Sequence, residues 1–475
     1  MQDASQEAIV DDQSHKSTAG SSHEPKEHSG EDESESDDST GSKDDSSDFE
    51  SMSSLEDDAS STRHFTQLHL NCIQNVQLTP DSSCILTSDS DNGLSVYAID
   101  SDIMKATDTR RLQPYARLRK ATPIWAFAVN HNFSIFAPDT TNVLVGCRDQ
   151  YITLHHALWD ASAKSNEYTE KVPASTKNAT PIDISTRLAS YKFVDSLTEA
   201  VYAPLSLAYN LDGTHFFAGG RNRIAVFDLQ YCEKPVSYIK TIPAERNKRK
   251  GGGRGFKGEI SALAVSSAAR DTLAAGARTR HVGIYASGQE VTHWSLPGRI
   301  GIHKVPLGGH PGLVGDGITQ LKWSPCGTYL YVAERMSDAI LIYDVRKFEI
   351  TLGYCAGRKA LTKQKLGFDL WTGETIYGHE TATQEVWAGG TDGKIRVWTN
   401  AYLSEGAIQP NDTVDVSHAP VSNTIVHASG TVAVASSGSY EVSGEGYGGS
   451  SMGGTRASKY IIERSCLDIL GLASY

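Results

Sequence analysis

The chain has 475 residues, of which 39% are hydrophobic and 21% charged, and a formal net charge of −13 at pH 7. It is long enough for one large domain or for two to three ordinary ones. Its seven cysteines are scattered without a Cys-x-x-Cys pair, which argues against a disulfide scaffold and indicates a reducing compartment. Since it has neither an apolar run of about 18 residues nor a basic-then-apolar leader, we expect a soluble intracellular protein with no membrane span.

Residues 1–62 are predicted to be a disordered, acidic, Ser-rich tail. Residues 1–60 carry 19 acidic side chains against Lys16, Lys26 and Lys43, with few large apolar groups. Such a segment cannot bury enough apolar surface to offset its ordering entropy. Its charge of about −16 leaves about +3 for residues 61–475, so the acidic total says little about what the folded part binds. Ser34 and Ser54 precede acidic residues, which fits either acid-directed phosphorylation or a merely solvating tail.

A six-residue strand pattern recurs six times from residue 94 onward. Its first and third positions are aliphatic, its fourth is usually aromatic, and successive copies start 58, 72, 58, 58 and 55 residues apart. Alternating apolar positions predict a half-buried strand, and a repeated strand–turn–strand unit is typical of a propeller or a solenoid. The copies are Leu94–Ile99, Ile152–Ala157, Ile224–Leu229, Val282–Ser287, Ile340–Val345 and Ile395–Asn400.

An earlier strand is predicted upstream of these copies. Ile318–Trp323 is the clearest, and the Ser-Pro-Cys-Gly that follows it predicts a turn whose backbone is set by Pro and Gly. Gly309-His310 before this unit and Tyr343-Asp344 at its end resemble the Gly-His and aromatic-Asp signatures of WD-repeat blades. The resemblance implies an all-β fold, a WD-repeat β-propeller over residues 63–475.

A seventh blade is predicted at the C-terminal end, in preference to a total of six or eight. Its first two strands would be Val421–Val426 and Thr431–Ser436. Its third would be Cys466–Leu472, after a Gly/Ser-rich insertion at 438–458. His64–Leu70 would supply the outer strand and close the ring, which removes the open sheet edges.

The sequence carries only weak signals for catalysis. Gly444–Gly449 matches G-x-G-x-x-G by letter, but it lies in a low-complexity stretch without a strand-to-helix context. His155 and His156 are neighbours in a strand and face opposite ways, so they do not make a metal pair. We expect a protein that is not an enzyme and that holds no cofactor and no metal.

Basic residues concentrate in two sets of loops. In WD-type blades, the turn before the recurring strand and the loop that enters the first strand emerge on the same face. The opposite turns, such as Pro80-Asp81 and Asp212-Gly213, are acidic or neutral. The candidate RNA-binding residues on the basic face are Arg119, Lys120, Arg148, Arg221, Arg223, Arg246, Lys248, Arg249, Lys250, Arg254, Lys257, Arg278, Arg280, His281, Arg335, Arg358 and Lys359.

A basic face concentrates polyanions and makes their binding steeply salt-dependent. The segment from Lys248 to Gly255 also looks like the Arg/Gly segments that bind RNA. Trp125, Trp387 and Phe256 could add base stacking, although the two tryptophans fit the blade core better. The alternatives for these loops are a protein partner, a nuclear-import signal or simple solubilisation.

Taken in order, the blade motifs resemble one WD-repeat family, the telomerase Cajal-body protein family with its fungal relatives. The resemblance rests on Gln77–Ser88, Pro204–Gly213, Gly258–Val265 and Leu307–His310, and it spans about residues 64–475. It implies binding of small nuclear or Cajal-body RNAs of the box H/ACA type, including telomerase RNA, or a part in spliceosomal RNP biogenesis. An insertion at 162–182 and the strongly basic loop at 246–257 depart from the family pattern.

We therefore expect a non-enzymatic, RNA-binding adaptor in the nucleus, with a cytoplasmic pool allowed. The expected partners are a small nuclear RNA or RNP and proteins that contact the propeller faces, and the chain is expected to be a monomer. The alternative is a protein–protein scaffold without direct RNA binding. Whether the acidic tail folds over the basic face as an autoinhibitor is left open by the sequence.

Overall fold

The computed structural model is a seven-bladed β-propeller. It describes residues 72–99, 112–162, 180–195, 198–242, 255–269, 271–297, 313–348, 350–373, 383–443 and 460–472, which all fall within the unit Gln67–Tyr475. Several predicted features lie outside the described residues: the tail at 1–62, the outer strand His64–Leu70, Gly309-His310 and Gly444–Gly449. Most of the insertion at 438–458 also lies outside them.

The first four blades are sheets in which each strand pairs with the next in antiparallel fashion. Blade one contains β1 (Ile73–Leu78), β2 (Cys84–Asp89), β3 (Gly93–Ala98) and β4 (Ala116–Arg119). Blade two contains β5 (Ile124–Val129), β6 (Asn142–Cys147), β7 (Ile152–His156) and β9 (Arg187–Tyr191), and β8 (Ile182–Asp183) precedes its last strand. Blade three contains β10 (Leu207–Tyr209), β11 (His215–Gly219), β12 (Arg223–Asp228) and β13 (Ser237–Lys240). Blade four contains β14 (Ile260–Val265), β15 (Thr272–Ala277), β16 (His281–Ala286) and β17 (Gln289–Ser295).

The last three blades follow the same plan. Blade five contains β18 (Ile318–Trp323), β19 (Tyr329–Glu334), β20 (Ile340–Asp344) and β21 (Thr351–Cys355). Blade six contains β22 (Phe368–Thr372), β23 (Gln384–Gly389), β24 (Lys394–Thr399) and β26 (Asp412–Asp415), and β25 (Gly406–Ile408) precedes its last strand. Blade seven has three strands among the described residues, β27 (Val421–Val426), β28 (Val432–Ser443) and β29 (Tyr460–Gly471). Short 3-10 turns lie at Pro138–Thr140 and Ala401–Leu403.

The recurring pattern forms the third strand of blades one to six, as predicted, but most of these strands are buried on both faces and not only on one. In β20, Ile340, Leu341, Ile342 and Tyr343 are each at most 1% exposed, so both faces of the strand lie in apolar surroundings. The reason is that every sheet is packed between two neighbouring sheets. The predicted turn after β18 is also present, with Gly327 at a φ of +70°, a backbone conformation that favours glycine.

The apolar core is divided into clusters that each join two adjacent blades. Seven such clusters occur among the described residues, one at each blade-to-blade junction. The seventh joins Ile73, Val76 and Ile85 of blade one to Val434 and Leu467 of blade seven. The ring is therefore closed by packing between the two ends of the propeller.

The inner strands are also joined by side chains that reach the next blade. Such a bond satisfies a backbone carbonyl at the centre of the disc, where the sheets come close together. The donors and acceptors are Gln77 Nε2 to Phe127 O at 2.8 Å, Ser206 Oγ to Ile260 O at 2.8 Å, Gln320 Nε2 to Phe368 O at 3.0 Å and Ser422 Oγ to Ile73 O at 3.0 Å.

Two short parallel strands cover the outer edges of blades one and five. β8, at the described end of the insertion at 162–182, pairs with β4, and β25 pairs with β21. An uncovered strand edge offers unpaired backbone groups to other chains, so this pairing protects two of the rims.

Candidate functional site

The two sets of loops that carry the basic residues lie on one face of the disc. Backbone hydrogen bonds join the turn between a blade's second and third strands to a loop that enters a first strand. Examples are Arg148 N to Pro123 O at 3.0 Å, Asn222 N to Gly258 O at 2.8 Å, Arg278 N to Glu259 O at 3.0 Å and Arg335 N to Gly317 O at 3.0 Å. We call this surface the turn face.

Five of the candidate residues lie outside the described residues: Arg246, Lys248, Arg249, Lys250 and Arg254. The chain leaves the turn face at Thr241 and returns to it at Phe256. Thr241 N donates to Asn222 O at 3.1 Å, and Phe256 N donates to Thr241 O at 2.9 Å. Both ends of the basic loop are therefore anchored at the turn face.

Acidic side chains on the same face pair with many of the candidate arginines. A count of the basic residues alone therefore overestimates the positive charge that this face presents. The pairs are Arg119 with Asp91 at 2.6 Å, Arg148 with Asp149 at 3.3 Å, Arg278 with Glu259 at 3.1 Å and Arg280 with Glu334 at 2.7 Å.

Arg223 is held between two aromatic rings. Its guanidinium carbon lies 4.8 Å from the centre of the Tyr202 ring and 5.0 Å from that of Tyr238, and Asp195 lies 3.6 Å from one terminal nitrogen. Two cation–π contacts and the nearby carboxylate leave the guanidinium little freedom to reach a ligand. Its position indicates a role in fixing the outer part of blade three.

Lys120 was expected on the basic face, but its side chain belongs to a hydrogen-bond network inside blade two. Its Nζ lies 2.8 Å from His155 Nε2 and 2.9 Å from Thr153 Oγ1. Because His155 Nδ1 lies 3.0 Å from the Ile184 carbonyl, we assign the ring proton to Nδ1 and the acceptor role to Nε2. Burial and the neighbouring Lys120 charge lower the pKa of His155 to about 4. Burial also lowers the pKa of Lys120.

The assignment of Arg358 to an accessible basic face is wrong. Its side chain is 0% exposed, and it donates to the Gly389 carbonyl at 3.3 Å and the Gly367 carbonyl at 2.7 Å. Burial lowers its pKa to about 10. A phosphate cannot reach this guanidinium, so Arg358 instead joins the loop that enters blade six to the end of β23.

Two of the three aromatic residues considered for base stacking, Phe256 and Trp125, lie in surroundings other than those expected. Phe256 is 1% exposed, and its ring stacks on His281 at a centroid distance of 5.5 Å, so it cannot receive a base. Trp387 is buried in the core, as expected. Trp125 was expected in the core as well, but it is 40% exposed and lines the central channel.

The remaining candidates form a patch across blades three to six, which we call the basic sector. It consists of Arg221, Lys257, Arg278, Arg335 and Lys359. Arg221, Lys257 and Lys359 are exposed and form no ion pair with another described residue. Arg278 remains half exposed beside Glu259, and Arg335 is half-buried.

A channel runs along the axis of the propeller. It holds a cavity of about 610 Å³ lined by the inner strands of all seven blades, including Trp125, Lys322, Lys365 and Asp369. Within the part of the chain that the structure describes, no group of His, Cys, Asp and Glu is arranged to hold a metal ion. No helix in that part is long and apolar enough to cross a membrane.

No protein-family model matches the chain. It is 26% identical to telomerase Cajal body protein 1 of Homo sapiens over 360 residues, which cover 74% of this chain and 54% of that protein. It is 25% identical to the telomerase Cajal body protein 1 homolog of Drosophila melanogaster over 343 residues, 70% of this chain and 51% of that protein. It is also 25% identical to guanine nucleotide-binding protein negative regulator 1 of Schizosaccharomyces pombe over 345 residues, 71% of this chain and 72% of that protein.

The chain thus spans about half the length of the telomerase Cajal body proteins that it matches. These relatives are named as a Cajal body protein and a negative regulator, and neither is the name of an enzyme. A rigid disc that exposes two loop faces and a rim fits a scaffold or adaptor. The chain is a seven-bladed WD-repeat propeller protein whose sequence resembles the telomerase Cajal body proteins and a fungal relative.

Proposed function

We propose that the chain is a non-enzymatic nuclear adaptor that binds a small structured RNA on its turn face and presents it to protein partners. The basic sector is the observation that carries the proposal, because it holds exposed cations with no acidic partner among the described residues. The name of one relative mentions telomerase and the Cajal body. The RNAs that we propose are therefore of the Cajal-body class, such as box H/ACA or telomerase RNA, with RNAs of spliceosomal RNP biogenesis as the other option.

The sector and the basic loop at 246–254 would act together. Arg221 and Lys257 flank the points where that loop leaves and rejoins the turn face. Fixed cations on the disc would position phosphates, and the Arg/Gly segment would add contacts to unpaired nucleotides. Arg119, Lys120, Arg148, Arg223, Arg280 and Arg358 contribute less to this proposal, because ion pairs, aromatic rings or burial already engage them.

A protein–protein scaffold is the second candidate. The acids that pair with arginines on the turn face favour it, since a surface with both charges recognises a protein of complementary pattern. Phe136, which is 90% exposed in the connection between β5 and β6, offers an apolar contact on the opposite side.

RNA binding by the full chain, titrated in salt, tests the first proposal. The test variant is Arg221→Gln with Lys257→Gln, and the matched control is Lys234→Gln with Lys347→Gln, two exposed lysines in turns of the opposite face. Each lost phosphate contact lowers the slope of log affinity against log salt by about 0.7–0.9. We expect the test variant to lose about tenfold in affinity and about 1.5 in slope, while the control keeps both.

Equal losses in the two variants, or no change in either, would contradict a turn-face RNA site. The scaffold would then be tested by purifying protein partners with the same two variants. Loss of a partner with Phe136→Ser, but not with the basic variant, would support that alternative.

A further inference from the structure

The central channel has a polar and aromatic mouth, to which Trp125 and Lys365 contribute, two residues that are not part of the basic sector. The inner strands enter from the turn face, so their first residues surround the turn-face end of the channel. Trp125 lies near the start of β5, and Lys365 lies just before β22. Both side chains line the cavity of about 610 Å³, which is within the range of roughly 300–1,000 Å³ for small-molecule pockets.

Two cations belong to neighbouring turns near this mouth: Lys365 lines the cavity, and Arg335 lies in the turn that is hydrogen-bonded to the segment before Lys365. Arg335 follows β19 directly, and Met336 N donates to Thr362 O at 3.0 Å, which fixes this turn against the segment that carries Lys365. Arg335 Nε is buried and has no hydrogen-bond partner among the described residues. The Lys365 ammonium has no ion pair or hydrogen bond with a described residue, and its side chain is only partly exposed. Buried donors without acceptors cost free energy, and an anion would recover it.

The surrounding charges leave the mouth positive. Asp316 lies near Arg335 and Arg278 adds a further positive charge, although Glu259 partly offsets it. Deeper in the channel, Lys322 is paired with Asp369, so that carboxylate is occupied. Burial and the charge of Arg335 lower the pKa of Lys365 to about 8, as expected for a cation that lacks a counter-ion.

Trp125 supplies a second kind of contact. It is 40% exposed, and the part of the ring left uncovered faces a cavity that also contains cations. An indole face receives a nucleobase by stacking, and such a contact depends little on which base is present. A ligand with both a phosphate and an aromatic ring could pair with the cations and stack on Trp125 at the same time.

We propose that the turn-face end of the channel is a nucleotide subsite, in which Lys365 and Arg335 bind phosphate and Trp125 stacks on a base. The subsite rests on the proposed function in one respect: its natural occupant would be an unpaired nucleotide of the RNA held on the turn face. A free nucleoside monophosphate has the same chemistry and serves as the probe.

The experiment measures UMP, AMP and inorganic phosphate binding to the full chain by calorimetry and tryptophan fluorescence. We expect both nucleotides to bind more tightly than phosphate, Lys365→Met to lose at least tenfold in affinity, and Trp125→Leu to lose about tenfold. Lys347→Met on the opposite face is the matched control and should keep the affinity. Thermal unfolding of each variant checks that the fold is retained.

The pH dependence of nucleotide affinity tests whether Lys365 binds the phosphate. Nucleotide affinity should fall between pH 7 and 9 as Lys365 loses its proton, because the phosphate stays doubly charged over that range. Lys365→Arg should keep the affinity at pH 7 and remove the decline, whereas a merely structural lysine would not give this rescue.

Three outcomes overturn the subsite: no nucleotide binding, equal binding of phosphate and nucleotides, or nucleotide affinity unchanged in Lys365→Met. The RNA assay separates the two proposals. If Lys365→Met binds mononucleotides normally while Arg221→Gln with Lys257→Gln loses RNA, the subsite fails and the RNA adaptor stands. If mononucleotides bind as expected but no RNA does, the subsite stands and the RNA adaptor fails.

Discussion

Replacing Arg280 by Met should cost the propeller about 3–5 kcal/mol of unfolding free energy, the usual result of breaking a buried ion pair from one side. Arg280 donates to both carboxylate oxygens of Glu334, at 2.7 and 2.9 Å, and the two side chains are 14% and 1% exposed. The pair joins the turn of blade four to β19 of blade five. Without the guanidinium, Glu334 would be a buried carboxylate with no counter-charge, and its burial already raises its pKa.

The pH dependence of the loss has a defined sign. A carboxyl group whose pKa is higher in the folded than in the unfolded state binds its proton more readily when folded, so acid stabilises the fold. Losing Arg280 raises the Glu334 pKa further, and the stability deficit of Arg280→Met should therefore shrink as the pH falls from 7 to 5. Adding Glu334→Gln to this variant should recover at least half of the loss at pH 7.

Urea unfolding followed by circular dichroism measures these differences. Arg346→Met is the matched control, because Arg346 pairs with Asp344 on the surface, where ion pairs contribute little, and the urea midpoint should not move. A loss below about 1 kcal/mol for Arg280→Met would mean that the Arg280–Glu334 pair is not a buried ion pair on which the fold depends. The same conclusion would follow if the double variant were as unstable as the single one.

Three further predictions concern stability. Burial lowers the pKa of His155 from 6.5 to about 4, so protonation of His155 should reduce the unfolding free energy of the wild type by about 3 kcal/mol as the pH falls from 6.5 to 4. In urea unfolding at a series of pH values, His155→Gln should not show this decrease. Arg358→Met leaves two buried carbonyls without a donor and should cost about 2–4 kcal/mol in urea unfolding, while the salt slope of RNA binding stays as in the wild type. Gly393→Ala should lower the melting temperature more than Gly288→Ala. Both glycines have a φ near +76°, but only at Gly393 would the new Cβ clash with a backbone carbonyl, that of Ser417; equal shifts would contradict this.

The propeller could be predicted because each blade repeats the same local signals. The recurring third strand has an apolar pattern of period two, and its turns contain Gly, Pro, Asn and Asp, which are local properties of the chain. The burial of Leu341 on the second face of β20 was not predicted, since it depends on a neighbouring sheet. The parallel strands β8 and β25 were not predicted either, because strands of two and three residues are too short to show an alternating apolar pattern.

The turn face was predicted more accurately than its charge. Loop order places Arg278 and Arg335 on the same surface, and the backbone hydrogen bonds agree with it. The partners of the arginines come from other loops, so spacing along the chain does not reveal them. Arg358 is the clearest case, because nothing in its local sequence separates a buried arginine from an exposed one. For Trp125, position near the start of an inner strand was the available signal, since this place in a blade lines the central channel.

Closure of the ring determines the order in which the protein can be completed during synthesis. The bond from Ser422 to Ile73 spans 349 positions of the chain. At about 5–20 residues per second, blade one leaves the ribosome roughly 17–70 s before the blade that must pack against it. Throughout that interval Ile73, Val76 and Ile85 lack their apolar neighbours in blade seven, and the first sheet can associate with other nascent chains. The growing chain is therefore a natural client for chaperones, and a premature stop between β26 and β27 would leave six sheets translated but the first one permanently unmatched.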